Sequence, residues 1–129
     1  PDNQCPGVRL MFSNGNDYLS MERGKIIGAT LVQTEFPFPR NEWVNVRWVM
    51  QLSDSDDGLN QIYINDQLSL EELGFNLPNA QDFAAAFAEF EIDFQLQASK
   101  YERFQIGLTA NPTNQDLEIF VDDVSIEIE

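Results

Sequence analysis

The sequence predicts an all-β protein, a two-sheet antiparallel β-sandwich with one short helix. Three observations favour this fold: apolar and polar residues alternate in most segments, turn-forming residues separate those segments, and apolar residues recur at helical spacing over one stretch. The chain has 129 residues, of which 43% are hydrophobic, enough to bury one core. We therefore expect a single domain over residues 1–129. Its first residues, PDNQCPG, include no initiator methionine, so we expect a module excised from a larger secreted protein.

Alternation of apolar and polar side chains predicts three strands in the first third of the chain. These strands cover residues 8–12, 18–22 and 26–33. The segment Phe36-Pro37-Phe38-Pro39 follows, and it cannot pair on both edges because proline has no N–H group. We expect a crossing segment here that leads to Trp43.

The segment 43–65 predicts a long hairpin, because its period is two on both sides of the acidic stretch SDSDDG. The apolar face of this hairpin carries Val44, Val46, Trp48, Met50, Leu52, Ile62 and Ile64. The opposite face carries Asn45, Arg47, Val49, Gln51, Gln61, Tyr63 and Asn65. SDSDDG has the composition of a hairpin turn. It does not fit an EF-hand loop, since counting from Asp54 puts Gly58 at position five and Asn65 at position twelve.

Residues 79–90 predict the helix. Asn79 can cap its first turn, and Phe83, Phe87 and Phe90 recur at helical spacing. Alternation then predicts strands at residues 91–97, 103–109 and 117–128. The last of these has a parity slip at Asp122-Asp123, which predicts a β-bulge. The sequence thus predicts about eight or nine strands in all.

The chain is strongly acidic, with a net charge of −15 and 22 acidic residues against seven lysines and arginines. Nucleic-acid binding needs a basic face and anionic membranes attract cations, so we expect no nucleic-acid partner, and binding to anionic membranes is disfavoured. The sequence has no run of about eighteen apolar residues, so we expect no membrane insertion. Such acidity is typical of a soluble, secreted or salt-exposed protein. The chain contains no histidine, which removes the Ser-His-Asp and Cys-His arrangements and the commonest zinc ligand. Cys5 is the single cysteine, so no disulfide forms within the chain.

Three stretches of the sequence resemble those of a known family. In EWVNVRWVMQLSDSDDGLNQIYIND a tryptophan opens a long strand, an acidic turn with glycine follows, and the return strand ends in an Asn-Asp pair. FQIGLTA and the terminal LEIFVDDVSIEIE resemble closing strands of the same class. The pattern is similar to concanavalin A-like jelly rolls, which include polysaccharide lyases, glucanases, laminin G-like modules and carbohydrate-binding modules. The resemblance covers residues 30–129. The chain is short for that fold and the helix 79–90 resembles an insertion, so a smaller carbohydrate-binding-module sandwich is a close competitor.

Polar side chains of the predicted strands share one sheet face or its ends. The candidates for ligand binding are Trp43, Asn45, Arg47, Gln51, Gln61, Tyr63, Asn65, Glu91, Asp93, Arg103 and Gln105, and the set extends to Arg9, Gln95 and Gln97. Amide, guanidinium and carboxylate groups present fixed donors and acceptors that match vicinal sugar hydroxyls, and Tyr63 can stack on the C–H face of a sugar ring. Arginine can also fork onto a uronate carboxylate. The alternative is an ordinary solvated face, in which the arginines neutralise Glu91 and Asp93.

Two enzymatic arrangements are alternatives. Retaining glucanases of the class that the sequence resembles carry E-I-D-x-E, and EIDF at residues 91–94 matches its start, but Gln95 stands where the acid/base Glu is needed. A lyase of this fold needs a base and a group that neutralises the uronate, roles that Tyr63 with Arg47 and Gln61 would fill. No histidine assists Tyr63.

The resemblance also implies a structural calcium ion, which jelly rolls commonly hold near their termini. Asp122 and Asp123 are its candidate ligands.

The first hypothesis for function is a non-catalytic carbohydrate-binding module, a monomer within a multidomain secreted chain, that recognises a polysaccharide or oligosaccharide through the polar face. The second is a polysaccharide lyase or glycoside hydrolase of the same fold. The third is a laminin G-like domain that binds protein. The sequence leaves open whether a glycan ligand is neutral or anionic.

Overall fold

In the residues that it describes, the computed structural model contains six β-strands in two antiparallel three-stranded sheets. It describes residues 8–12, 15–23, 30–77, 104–107, 116 and 118–129. The strands of the first sheet, in spatial order, are β1 (Val8–Phe12), β2 (Leu19–Arg23) and β3 (Thr30–Gln33). Those of the second sheet are β4 (Val46–Gln51), β5 (Leu59–Ile64) and β6 (Gln67–Leu73). The described part of the chain has no helix, and the prediction of an all-β protein is confirmed.

The sequence pattern locates the first five strands to within a few residues. β1 coincides with its predicted range, β2 is shifted by one residue, and β3 occupies the end of the range predicted for it. The predicted hairpin is confirmed as the β4–β5 pair, although β4 begins at Val46 and not at Trp43. The crossing segment is also confirmed, because the chain leaves β3 in one sheet and enters β4 in the other through residues that form no strand.

The core lies between apolar rows that the strand registers create. In the first sheet Leu10, Met21 and Val32 are cross-strand partners, and in the second sheet Trp48, Ile62 and Leu70 are. Side chains directly opposite each other on neighbouring strands point to the same face. One buried cluster joins both sheets: it contains Leu19, Met21, Ile62, Ile64 and Leu70, with Val8, Leu10, Val32, Phe38, Val44 and Trp48 packed against it. Hydrophobic burial between the two sheets therefore holds them together.

Backbone hydrogen bonds reinforce the contact between the two sheets at the point where the chain leaves β3. The N–H of Thr34 donates to the Leu19 carbonyl at 2.9 Å, and the next N–H, that of Glu35, donates to the Ser69 carbonyl at 2.7 Å. Successive backbone groups thus bind β2 in one sheet and β6 in the other. The N–H of Phe38 then donates to the Asp17 carbonyl at 2.8 Å, and the Phe38 ring meets Phe12 edge to face, with 4.9 Å between ring centroids.

The strand β6 is an addition to the sequence prediction. A two-residue turn, Asn65-Asp66, connects it to β5, and both residues have positive φ, 49° and 64°. Two successive left-handed residues match the twist of a tight hairpin, and Asn and Asp tolerate that conformation better than other side chains. A register shift between Ile62 and Tyr63 changes the alternation along β6, so that Ser69 and Leu70 are both buried.

A buried amide fastens the far end of this sheet. Asn76 is 2% exposed, and its side-chain Nδ2 donates to the carbonyls of Gln51 at 2.9 Å and Leu59 at 3.1 Å. Its Oδ1 accepts the N–H of Ser53 at 2.8 Å. Gln51 and Leu59 are the last register pair of the β4–β5 hairpin, so one side chain bridges both strands where the hairpin opens into its loop.

Close backbone packing at the same place explains Gly58. Its carbonyl accepts the N–H of Gly74 at 2.9 Å, and a Cβ at position 58 would lie 2.3 Å from the Gly74 carbonyl oxygen. Real Cβ atoms do not approach a backbone oxygen so closely. Only glycine lets the loop end of the hairpin meet the chain that leaves β6.

The strand prediction is wrong for the later part of the chain that the structure describes. Residues 104–107 and 118–129 form no strand, and all of them are exposed. Positive φ angles of 129° at Gly107 and 52° at Asp123 interrupt the extended backbone. Alternating apolar residues create strand propensity, but a strand also needs a hydrogen-bonded neighbour, and no described strand pairs with these segments.

Other predictions lie outside the described residues. These are the helix at 79–90 and the strand at 91–97. Within the described segments, no helix of the length and hydropathy that a bilayer span requires is found.

Replacement of Asn76 by Ala is expected to destabilise the protein by roughly 3 kcal/mol, because it leaves two carbonyls and one N–H without their partner at a buried site. Urea unfolding followed by tryptophan fluorescence measures this change. Asn76→Asp keeps the acceptor and loses the two donors, so it should also be destabilised. The control Gln67→Ala changes an exposed β6 side chain and should stay within about 0.5 kcal/mol of the wild type. An Asn76→Ala variant as stable as this control would contradict the role assigned to the amide.

Candidate functional site

Four polar side chains form a connected ladder on the outward face of the second sheet. The Arg47 guanidinium carbon lies 4.3 Å from the centroid of the Tyr63 ring, within the range of a cation–π contact. The Tyr63 hydroxyl donates to Gln61 Oε1 at 3.3 Å, and Gln61 Nε2 donates to Glu71 Oε2 at 2.7 Å. The ladder therefore runs from β4 across β5 to β6.

Strand register explains why these four residues meet. Arg47 is the cross-strand partner of Tyr63, and Gln61 is that of Glu71. Gln61 and Tyr63 are two residues apart on β5, so they share a face. With strands about 4.8 Å apart, the ladder spans about 10 Å across the sheet.

The ladder fixes the orientation of its own groups. Gln61 accepts through Oε1 and donates through Nε2, so its two neighbours determine which way the amide points. A carboxylate has about four lone-pair sites and a guanidinium has five N–H donors, so Glu71 and Arg47 retain capacity for a ligand at either end. In the described part of the chain no carboxylate forms an ion pair with Arg47.

Apolar side chains flank the ladder, so the outward face is amphipathic and not uniformly polar. Leu68 is the partner of Tyr63, Val49 is the partner of Gln61, and Leu73 is the partner of Leu59. Val49, Leu68 and Leu73 are all exposed. Fixed hydrogen-bonding groups beside exposed apolar surface suit a ligand that has both hydroxyl groups and C–H faces.

The structure gives three further predicted residues of the hairpin different roles. Gln51 shares the outward face, but its Nε2 donates to the Asp57 carbonyl at 2.9 Å and so binds the loop. Asn45 and Asn65 bind each other: the Asn45 N–H donates to Asn65 Oδ1 at 3.0 Å, and the Asn65 N–H donates to the Asn45 carbonyl at 2.8 Å. These two residues close the turn end of the sheet and do not extend the ladder.

The remaining predicted ligand residues lie apart from the ladder or outside the described residues. Trp43 is 70% exposed and precedes β4. Gln105 is exposed in the segment 104–107, which forms no strand. Glu91, Asp93 and Arg103 belong to the residues that the structure does not describe.

Sequence reasoning missed Glu71. Glu71 belongs to β6, a strand that the alternation of apolar and polar residues did not reveal. The adjacent Glu72 has the same charge, so charge alone did not single out Glu71. The Asn65-Asp66 turn is the signal that would have found it, because a tight hairpin turn predicts that another strand follows. Pairing of this strand with β5 brings residue 71 opposite Gln61.

The acidic stretch SDSDDG is the turn of the β4–β5 hairpin, as predicted. Asp57 Oδ1 accepts hydrogen bonds from the hydroxyls of Ser53 and Ser55, the latter at 2.9 Å. The Ser55 N–H donates to Ser53 Oγ at 3.1 Å. The hydrogen bonds from Ser53 and then Ser55, followed by one from the Asp57 backbone, lower the pKa of the Asp57 carboxyl below its usual value of 3.8.

The predicted calcium ligands do not form a site with the other described residues. Asp122 Oδ1 accepts the N–H of Asp123 at 2.9 Å, and both residues are exposed. Calcium takes six to eight oxygen ligands, and the described residues contain no group of three or more His, Cys, Asp or Glu side chains arranged to hold a metal. The calcium site stays a prediction, which a melting temperature measured with and without chelator tests.

No family model, curated protein or solved structure matches this chain. The resemblance to concanavalin A-like jelly rolls therefore stays a prediction from residue patterns.

The loop predicts a pH effect with a defined sign. Because the pKa of Asp57 is lower in the folded protein than in the unfolded chain, its stabilising effect is complete above pH 3.8 and is lost as the pH falls through the folded-state pKa. Ser53→Ala removes the largest cause of the shift and should raise the pKa of Asp57 towards 3.8. Carbon-detected NMR titration of the carboxyl group measures it. Ser125→Ala, at an exposed position, is the control and should leave the titration unchanged. The same Asp57 pKa in both variants would refute the assigned cause.

Proposed function

We propose that this chain is a non-catalytic carbohydrate-binding module on a jelly-roll sandwich, secreted as part of a multidomain protein, and that its ligand is a polysaccharide or oligosaccharide. The observation that carries the proposal is the ladder Arg47–Tyr63–Gln61–Glu71 on an exposed, amphipathic sheet face. The two sheets with a shared core supply the rigid support that such a face needs.

The chemistry of the ladder suits sugar hydroxyls. Each sugar hydroxyl is one donor and an acceptor, so it binds well where fixed donors and acceptors alternate. Arg47 supplies donors, Glu71 supplies acceptors, and Gln61 between them supplies both. Exposed Leu68 and Val49 offer apolar surface for the C–H faces of the ring.

Affinity electrophoresis through gels that contain single soluble polysaccharides tests the proposal. We expect at least one polysaccharide to retard the wild type, and we expect Gln61→Ala to bind it about tenfold more weakly, the effect of roughly 1.4 kcal/mol. The reason is that this change removes a ligand contact and releases both neighbours of the amide. The matched control is Gln33→Ala, an exposed glutamine on β3 in the other sheet, which should bind like the wild type. If no polysaccharide retards the wild type, the proposal fails.

A lyase is the second candidate, and the contact between Arg47 and Tyr63 favours it. The Arg47 guanidinium lies 4.3 Å from the centroid of the Tyr63 ring, so a group that can neutralise a uronate carboxyl lies beside a side chain that can act as the base of a lyase. The measurement is the ultraviolet absorbance of the unsaturated product during incubation with polyuronates. We expect none from the wild type. Product that forms with the wild type and disappears with Tyr63→Phe would instead assign the enzymatic function.

A further inference from the structure

We infer that the ladder selects neutral glycans and rejects uronates. This inference rests on the proposed function, since it names the class of ligand for the same face. Arginine on a sheet face is compatible with either class, so the decision depends on what surrounds Arg47.

The charge around the face opposes an anionic ligand. Residues 46–77, which form the second sheet with its turns and the segment that follows it, contain a single cation, Arg47. Their six carboxylates belong to Asp54, Asp56, Asp57, Asp66, Glu71 and Glu72. A polyuronate carries one negative charge on each sugar, so the excess of negative charge on this surface repels it.

Outside the second sheet, two cations have side-chain partners that the structure shows, and each is paired with a carboxylate away from the ladder. Arg9 binds Glu22 across the first sheet. Arg40 binds Asp17 at 2.7 Å. Of the described side chains, Arg47 is thus the cation that the ladder offers, against a net charge of −15 for the whole chain.

Glu71 is the residue of the ladder that discriminates between neutral and anionic glycans. It lies one strand spacing beyond Gln61, which holds its Oε2 at 2.7 Å. Its remaining lone pairs accept hydrogen bonds from sugar hydroxyls, and such bonds to a carboxylate are stronger than bonds to a neutral oxygen. A uronate carboxylate at the same place has no hydrogen to donate and repels the Glu71 charge.

Arg47 does not by itself decide between the two classes. Its guanidinium lies over the Tyr63 ring, and its in-plane N–H groups stay available to hydroxyl, ring or carboxylate oxygens. The choice between neutral and anionic ligands therefore depends on Glu71 and on the surrounding charge.

The experiment compares neutral and anionic probes on the full chain. The neutral probes are hydroxyethyl cellulose, a soluble xylan and a mannan, and the anionic probes are alginate and polygalacturonate. Affinity electrophoresis is run with chelator, so that no divalent cation bridges carboxylates. Each binding probe is then tested as the ionic strength rises from about 0.01 M to about 1 M, which shortens the Debye length from about 30 Å to about 3 Å.

We expect at least one neutral glycan to retard the protein, with little dependence on salt, and both polyuronates to bind at least about tenfold more weakly. Glu71→Gln should bind the neutral glycan about fivefold more weakly, because it exchanges a charged acceptor for a neutral one. Asp66→Asn is the matched control: it removes the same charge at an exposed turn position where Asn tolerates the left-handed backbone. It should bind the neutral glycan like the wild type.

Each other outcome overturns the inference. Polyuronate binding that equals or exceeds neutral binding would show an anionic ligand and leave the carbohydrate-binding function standing. A Glu71→Gln variant that binds the neutral glycan like Asp66→Asn would remove Glu71 from the site. No retardation by any probe would reject both the inference and the proposed function.

Discussion

The position of the candidate site depends on one buried amide that lies outside the site. Asn76 binds the carbonyls of Gln51 and Leu59, the register pair at the loop end of the hairpin. A slip of one residue in that register would turn every side chain of a strand to the opposite face. By holding both strands at their open end, Asn76 fixes which side chains of β4 and β5 point away from the core. The outward ladder is a consequence of that constraint.

Alternation of apolar and polar residues predicted five of the six described strands. It located β1, β2 and the β4–β5 hairpin because each has a plain period of two and packs at least one apolar side chain of each strand against the core. It missed β6, where the register shift buries Ser69 and Leu70 in succession and disrupts the period. It was wrong for 118–129, because alternation reports strand propensity and not the presence of a hydrogen-bonding neighbour.

The candidate site was predictable to the same extent as the strands that form it. Arg47, Gln61 and Tyr63 were found because one hairpin holds all three, and face assignment within a hairpin follows from parity. Asn65 has the right parity but belongs to the turn, where a positive φ turns its amide back to Asn45. Glu71 required knowledge of a cross-strand register, which no single-strand pattern contains.

Arg47 has a second consequence, which concerns self-association. β4 is an edge strand among the described strands, and Val46, Val49 and Met50 on it are exposed apolar residues. An exposed edge offers unpaired backbone groups to any other extended chain, and a charged side chain on the edge is a common protection against such pairing. Arg47 is the one charge in VRWVMQ. Its loss would leave an uncharged apolar edge with high strand propensity, a composition that favours aggregation through added strands. The residue that begins the ladder also helps to keep the sheet from growing.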